Sequence, residues 1–176
     1  MPLSLSTERG LIMAETVMRH QIADYLDVST TSTPEWALMG VGFNTLDENP
    51  NAQVDSKTYV NQKNQSSQVK GYQTQFPFDT DLIASEDAVM ALYGVGRDQK
   101  TGADAEMDYI RVELFEPVTG EGITNTYKAR KFTVAVAVTS NAGAGGEVVK
   151  VAGNLNAVGD FVKGTFNTQT KTFTAV

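Results

Sequence analysis

From residue 107 to the last residue the chain alternates apolar and polar side chains with period two, the spacing of strands rather than of a helix. In 107–115, Ile110, Val112 and Leu114 alternate with Tyr109, Arg111, Glu113 and Phe115. In 128–138, Phe132, Val134, Val136 and Val138 make an apolar face, and Lys131, Thr133, Ala135, Ala137 and Thr139 stand opposite. The glycine-rich NAGAGG (141–146) turns the chain into 147–156. Val158-Gly159-Asp160 reads as a further turn into 161–166, and 171–175 closes the series. Short strands at this spacing predict a mainly β fold, a sandwich or barrel.

The first half fits the same class. Ile22, Tyr25, Leu26 and Val28 mark a strand over 21–28. The Ser/Thr stretch 29–33 and Pro34 mark a turn, 36–41 a second strand, and 44–52 a loop. One flanking helix is expected over Ser85–Tyr93, with Ser85 as N-cap, Glu86 and Asp87 on the first-turn dipole and Gly94 at C′. Val89, Leu92 and Tyr93 share the face that would pack on a sheet, and 95–106 follow as a polar loop. Residues 1–18 read as an arm, with Leu11, Ile12, Met13, Val17 and Met18 spaced for a short amphipathic helix. The domain proper then covers 19–176.

A long hairpin stands out within it. Residues 53–60 and 69–79 alternate like strands around the wholly polar NQKNQSSQ. Its arms would extend about 25–35 Å at about 3.3 Å per residue. Tyr72, Phe76 and Phe78 lie on one side, and Pro77 places the second arm at an edge or an end. So polar an arm cannot be packed against a core of this size, and a protruding arm implies a partner.

Chemistry is sparse. With no cysteine, disulfides, thiolate catalysis and cysteine-held metals are excluded, which fits synthesis in a reducing cytoplasm. His20 is the single histidine and has no nucleophile motif beside it. Gly143-Ala144-Gly145-Gly146 lacks the Gly-Lys-Ser/Thr ending of a phosphate loop, and Asp98, Asp104, Glu106 and Asp108 lack calcium-loop spacing. Trp36 sits on a core strand, and Tyr59, Tyr72 and Tyr127 are generic binding candidates. No enzyme activity, cofactor or metal is expected. Neither is membrane insertion, since no run approaches the ~18 apolar residues of a span and the N-terminus does not read as a signal peptide. A net charge of -7 and a pI near 4.7 argue against a tight grip on nucleic acid.

Several segments together resemble the major tail, or tail tube, proteins of siphophages and prophages of Gram-positive bacteria. They are MGVGFNTLDENPNAQVDSKTYVNQKNQSSQVKGYQTQFPFDTD (39–81), GRDQKTGADAEMDYIRVELF (96–115), YKARKFTVAVAVTSNAGAGGE (127–147) and VAGNLNAVGDFVKGTFNTQTKTFT (151–174). The resemblance implies a β-sandwich flanked by a helix, assembled as hexameric rings that stack head-to-tail around a lumen. Double-stranded DNA would pass through without specific binding. It also implies tape measure, tail terminator and distal tail or baseplate partners, and location in the virion. The hairpin would contact neighbouring copies through Lys57, Tyr59, Asn61, Gln62, Lys63, Asn64, Gln65, Lys70 and Tyr72. The lumen would be lined either by Thr133, Ala135, Ala137 and Thr139 or by the charged face around Glu113. Three other classes stay open: a sheathed tube protein of a contractile tail or injection system, a decoration or baseplate domain, and an enzyme or carbohydrate-binding module.

Overall fold

A computed structural model describes residues 15–176; most of the expected N-terminal arm, residues 1–14, lies outside the described residues. The period-two segments form β1 (Ile22–Asp27), β2 (Trp36–Leu38), β3 (Phe43–Leu46), β4 (Ala52–Lys57), β5 (Ser66–Tyr72) and β6 (Gln75–Asp81). After helix α1 (Asp87–Arg97) come β7 (Glu106–Pro117), β8 (Thr126–Ala142), β9 (Lys150–Asn167) and β10 (Thr172–Ala175). Eight strands make one antiparallel sheet in the order β2-β1-β7-β8-β9-β6-β3, with β10 also on β9; β4 and β5 form a separate pair. The fold is mainly β, as expected, and the sheet is open and curled.

Ring contacts reveal the curl. Strands lie about 4.8 Å apart, so side chains three strands removed would stand about 14 Å apart on a flat sheet. Yet the rings of Phe76 on β6 and Tyr109 on β7 are 4.7 Å apart, and those of Tyr25 on β1 and Phe166 on β9 are 4.6 Å apart. The two contacts lie on opposite faces. Tyr109 belongs to a core with Phe76, Phe132, Val134 and Leu155, which α1 covers through Ala88, Leu92 and Val95. Its neighbour Ile110 belongs to a second core with Tyr25, Trp36, Val112 and Phe166. The sheet thus buries apolar side chains on both sides.

Four local expectations change. The turn at Val158-Gly159-Asp160 is a bulge inside one 18-residue strand: Val158 pairs with Thr133 and Val162 with Lys131, and Gly159 takes φ 68. Turns and bulges share the need for a positive φ, so one glycine signals either. The helix begins after Glu86 rather than Ser85 and runs past Gly94 to Arg97, keeping both glycines inside. Gly96 is there for close approach, because a Cβ on it would stand 2.8 Å from Val138 on β8. Phe43–Leu46, placed in or beside a loop by composition, forms an edge strand on β6. The expected second hairpin arm, 69–79, divides: β5 pairs with β4, whereas β6 enters the main sheet between β9 and β3. Pro77 is therefore not at a sheet edge. Its carbonyl accepts from the Asp47 amide just past the end of β3, so its missing donor falls where that pairing stops.

Candidate interaction arm, its anchor and the polar sheet face

The β4–β5 hairpin projects from the body as a two-stranded ribbon. Val54 pairs with Val69, Ser56 with Ser67 through a 2.9 Å hydroxyl contact, and Lys70 reaches Asp55 at 3.1 Å. Lys57, Tyr59, Asn61, Gln62, Lys63, Asn64, Gln65, Lys70 and Tyr72 are all exposed. The structure thus gathers all nine contact candidates on one arm.

The root of this arm is anchored by a charged ladder that the sequence reading did not single out. Asn49 and Gln75 exchange backbone hydrogen bonds of 2.8 and 2.9 Å at the hairpin base. One residue earlier, Glu48 accepts two hydrogen bonds from the Arg130 guanidinium, at 2.6 and 2.9 Å, and lies 3.3 Å from Nε of Arg111. Arg111 continues to Tyr109 at 3.3 Å and to Asp24 at 3.5 Å. The Tyr109 hydroxyl donates to Asp24, and Arg19 reaches the other Asp24 oxygen at 2.6 Å. Asp24 and Arg111 are 1% and 5% exposed, so the cost of burying each charge is offset by the partners that face it. The planar fork of Arg130 suits bidentate pairing with a carboxylate.

Titration follows the geometry. Burial pushes the Glu48 carboxyl up, but the Arg130 hydrogen bonds and the charges of Arg130 and Arg111 outweigh it and hold the group below its ordinary value. Burial, with the negative charge of Asp24, pushes the Tyr109 phenol well above its ordinary range. The sequence held a signal for part of the ladder, since Asp24 and Arg111 are charged residues set among apolar ones on expected strands, but none for the pairing of Glu48 with Arg130.

The two sets of lumen candidates fall on opposite faces of the sheet. Thr133, Ala135 and Ala137 lie on the face away from α1. There Thr133 donates to Asp108 at 3.1 Å, and Ala135 and Ala137 stand opposite Asn156 and Asn154 of β9. Glu106 and Gln75 flank the same face by register; of its two lysines on these strands, Lys131 is paired with Asp108 at 3.0 Å and the exposed Lys150 stands opposite Asp81 in register at the end of β9. Thr139 is exposed at a second register shift, between Val138 and Ser140. Glu113 alternates onto the other face with Tyr109 and Arg111, 3.7 Å from Arg130.

The remaining candidates are not brought together. His20 lies exposed in a short 3-10 turn, and Trp36 is buried against Phe166. Asp98 pairs with Arg97, and Asp108 with Lys131. Among the described residues no group of three or more His, Cys, Asp or Glu could hold a metal ion, and no helix is long and apolar enough to cross a membrane.

No family model and no curated protein matches the sequence. Solved structures do match in fold. A chain of the tail of an empty GTA particle, refined with helical and C6 symmetry, is 11% identical with a TM-score of 0.56, over 91% of this chain and 100% of that one. A chain of the six-fold symmetrised anti-feeding prophage (AFP) baseplate is 8% identical with a TM-score of 0.49, over 86% and 97% of the two chains. At the identity of the GTA tail chain, the likeness defines a shared fold.

Proposed function

We propose that this chain is a structural, non-enzymatic subunit of a phage-type tail, located in the virion. Copies form hexameric rings that stack head-to-tail into a tube for double-stranded DNA. The observation that carries the reading is the β4–β5 arm: an ordered ribbon outside the core, fixed at its root by Glu48 and Arg130, with exposed residues over its length. An arm of this kind stabilises nothing within its own chain, and an open sheet with bare edge strands gains by pairing with another copy. Head-to-tail contacts generate open filaments rather than closed dimers, which is the geometry of a tube. The GTA tail chain of the same fold supports the reading.

The face bearing Thr133, Ala135 and Ala137 is the proposed lumen wall, because it is small and polar over these positions, with Lys131 paired to Asp108 and Lys150 set at its far end opposite Asp81 in register. Such a wall offers phosphates little to hold. Tape measure, terminator and distal tail or baseplate proteins are the proposed partners, and no cofactor is required. Negative-stain electron microscopy of the concentrated protein tests the assembly. Hollow tubes with a regular axial repeat are expected, and replacing 58–65 with a two-residue Asn-Gly turn should abolish them while the monomer keeps its melting temperature. Closed rings that never lengthen, even with a tail-tip complex as nucleus, would favour a decoration or baseplate domain instead.

A further inference from the structure

The hairpin tip holds its apolar side chains in solvent. Tyr59 is 57% exposed and Val60 fully so, between Lys57 and Lys63. Three lysines against one aspartate give residues 52–72 a charge of +2, so a chain of net charge -7 leaves -9 on the rest. Lys70 is paired with Asp55, which leaves Lys57 and Lys63 as the unpaired cations of the arm among the described residues. The arm is thus a basic element on an acidic molecule, with two apolar residues between its outer lysines.

A surface of matching chemistry lies on the body. A groove of about 650 Å³ runs between α1 and the start of β7. Its floor includes the half-buried Met90, Ala91 and Met107, and its rim carries the exposed Asp104 and Glu106. In all, five carboxylates against two basic side chains line it. Of these, Asp98 and Asp108 are already paired with Arg97 and Lys131.

We infer that the arm tip of one copy docks in the α1–β7 groove of a second copy, with Tyr59 and Val60 over Met90, Ala91 and Met107 and with Lys57 and Lys63 against Asp104 and Glu106. Charge complementarity selects a second copy as the occupant. Desolvating the two apolar side chains supplies the attraction, and the rim charges fix register and steer encounter. This rests on the proposed self-assembly and adds the receiving surface to it.

The absence of cysteine in the chain makes the test clean. Full-length Thr58→Cys protein, which keeps Tyr59 and Val60, is mixed with full-length Ala103→Cys protein, whose substituted residue lines the groove beside Asp104, under mild oxidation. A parallel mixture uses Glu121→Cys, an exposed loop position away from the groove. The disulfide-linked pair should form at least about tenfold faster with Ala103→Cys than with Glu121→Cys, a preference of about 1.4 kcal/mol. Reversing the arm (Lys57→Glu with Lys63→Glu) or the groove (Asp104→Lys with Glu106→Lys) should each abolish the preference and tube formation, and mixing the two reversed chains should restore both. Tubes that form with the groove reversed, without preferential linking, would overturn the inference and leave the tube reading standing. Preferential linking without tubes supports the docking and sinks the tube reading. Equal linking with both cysteine partners, together with retention of double-stranded DNA that the arm reversal removes, would assign the arm to nucleic acid instead.

Discussion

Asp24 is 1% exposed, and its charge is tolerated because Tyr109, Arg19 and Arg111 all face it. Removing one partner of a buried pair leaves the other uncompensated, at a cost of about 3–5 kcal/mol. Arg111 keeps Glu48 as a second partner, so Asp24→Asn should fall at the lower end, about 3 kcal/mol, read from denaturant midpoints at constant m-value. Glu48 adds a pH dependence. Its carboxyl is held below its ordinary value in the folded protein, so the native state binds this proton less readily than the unfolded chain does. Its contribution is therefore full above the ordinary glutamate pKa, about 4.3, and is lost as pH falls through the lower folded value. Melting curves of the native protein and of Glu48→Gln should differ most near neutral pH and converge under acid. A constant gap across that range would remove the ion pair as the cause.

At the scale of elements, helix α1 carries a paired prediction. Gly94 and Gly96 both lie in its last turns, where glycine costs roughly 0.5–1 kcal/mol relative to alanine. A Cβ on Gly94 meets nothing within 4 Å, whereas one on Gly96 would stand 2.8 Å from Val138. Gly94→Ala should therefore stabilise the protein by about 0.5–1 kcal/mol, and Gly96→Ala should destabilise it by about 1–3 kcal/mol through overpacking; thermal unfolding separates the two signs. The same glycines mark what was legible in the sequence. Local alternation predicted β7, β8 and the apolar face Phe132–Val138, because burial of one face imposes period two. It could not tell a helix-ending Gly94 from a helix-packing Gly96, since the difference lies in Val138, more than forty residues away. Nor could it detach Gln75–Asp81 from the hairpin, because its pairing to β9 is as distant. The arm candidates from Lys57 to Tyr72 were readable as exposed by polarity alone, while their anchor, Glu48 with Arg130, was not, being 82 residues apart in the chain.

For the whole molecule, the proposed tube requires one face of the curled sheet to look inward, and Ala137 is the position that decides which. Its side chain is exposed on the small polar face, so substitutions there leave both cores intact. Glu113 on the opposite face is a poorer probe, because changing it also disturbs Arg130 and hence the root of the arm. With no other cysteine in the chain, Ala137→Cys can be followed by labelling. On the dispersed subunit, small and bulky maleimides should react alike. In assembled tubes the small reagent should still react and the bulky one should be excluded, except at tube ends. Ala137→Lys should then hold DNA inside the tube, because each added cation contributes a phosphate contact and hexameric rings would repeat it around the whole circumference; the retention should weaken steeply with salt. Equal labelling of tubes by both reagents would put this face on the exterior and leave the charged face of Glu113, Arg130 and Lys128 as the wall around the DNA.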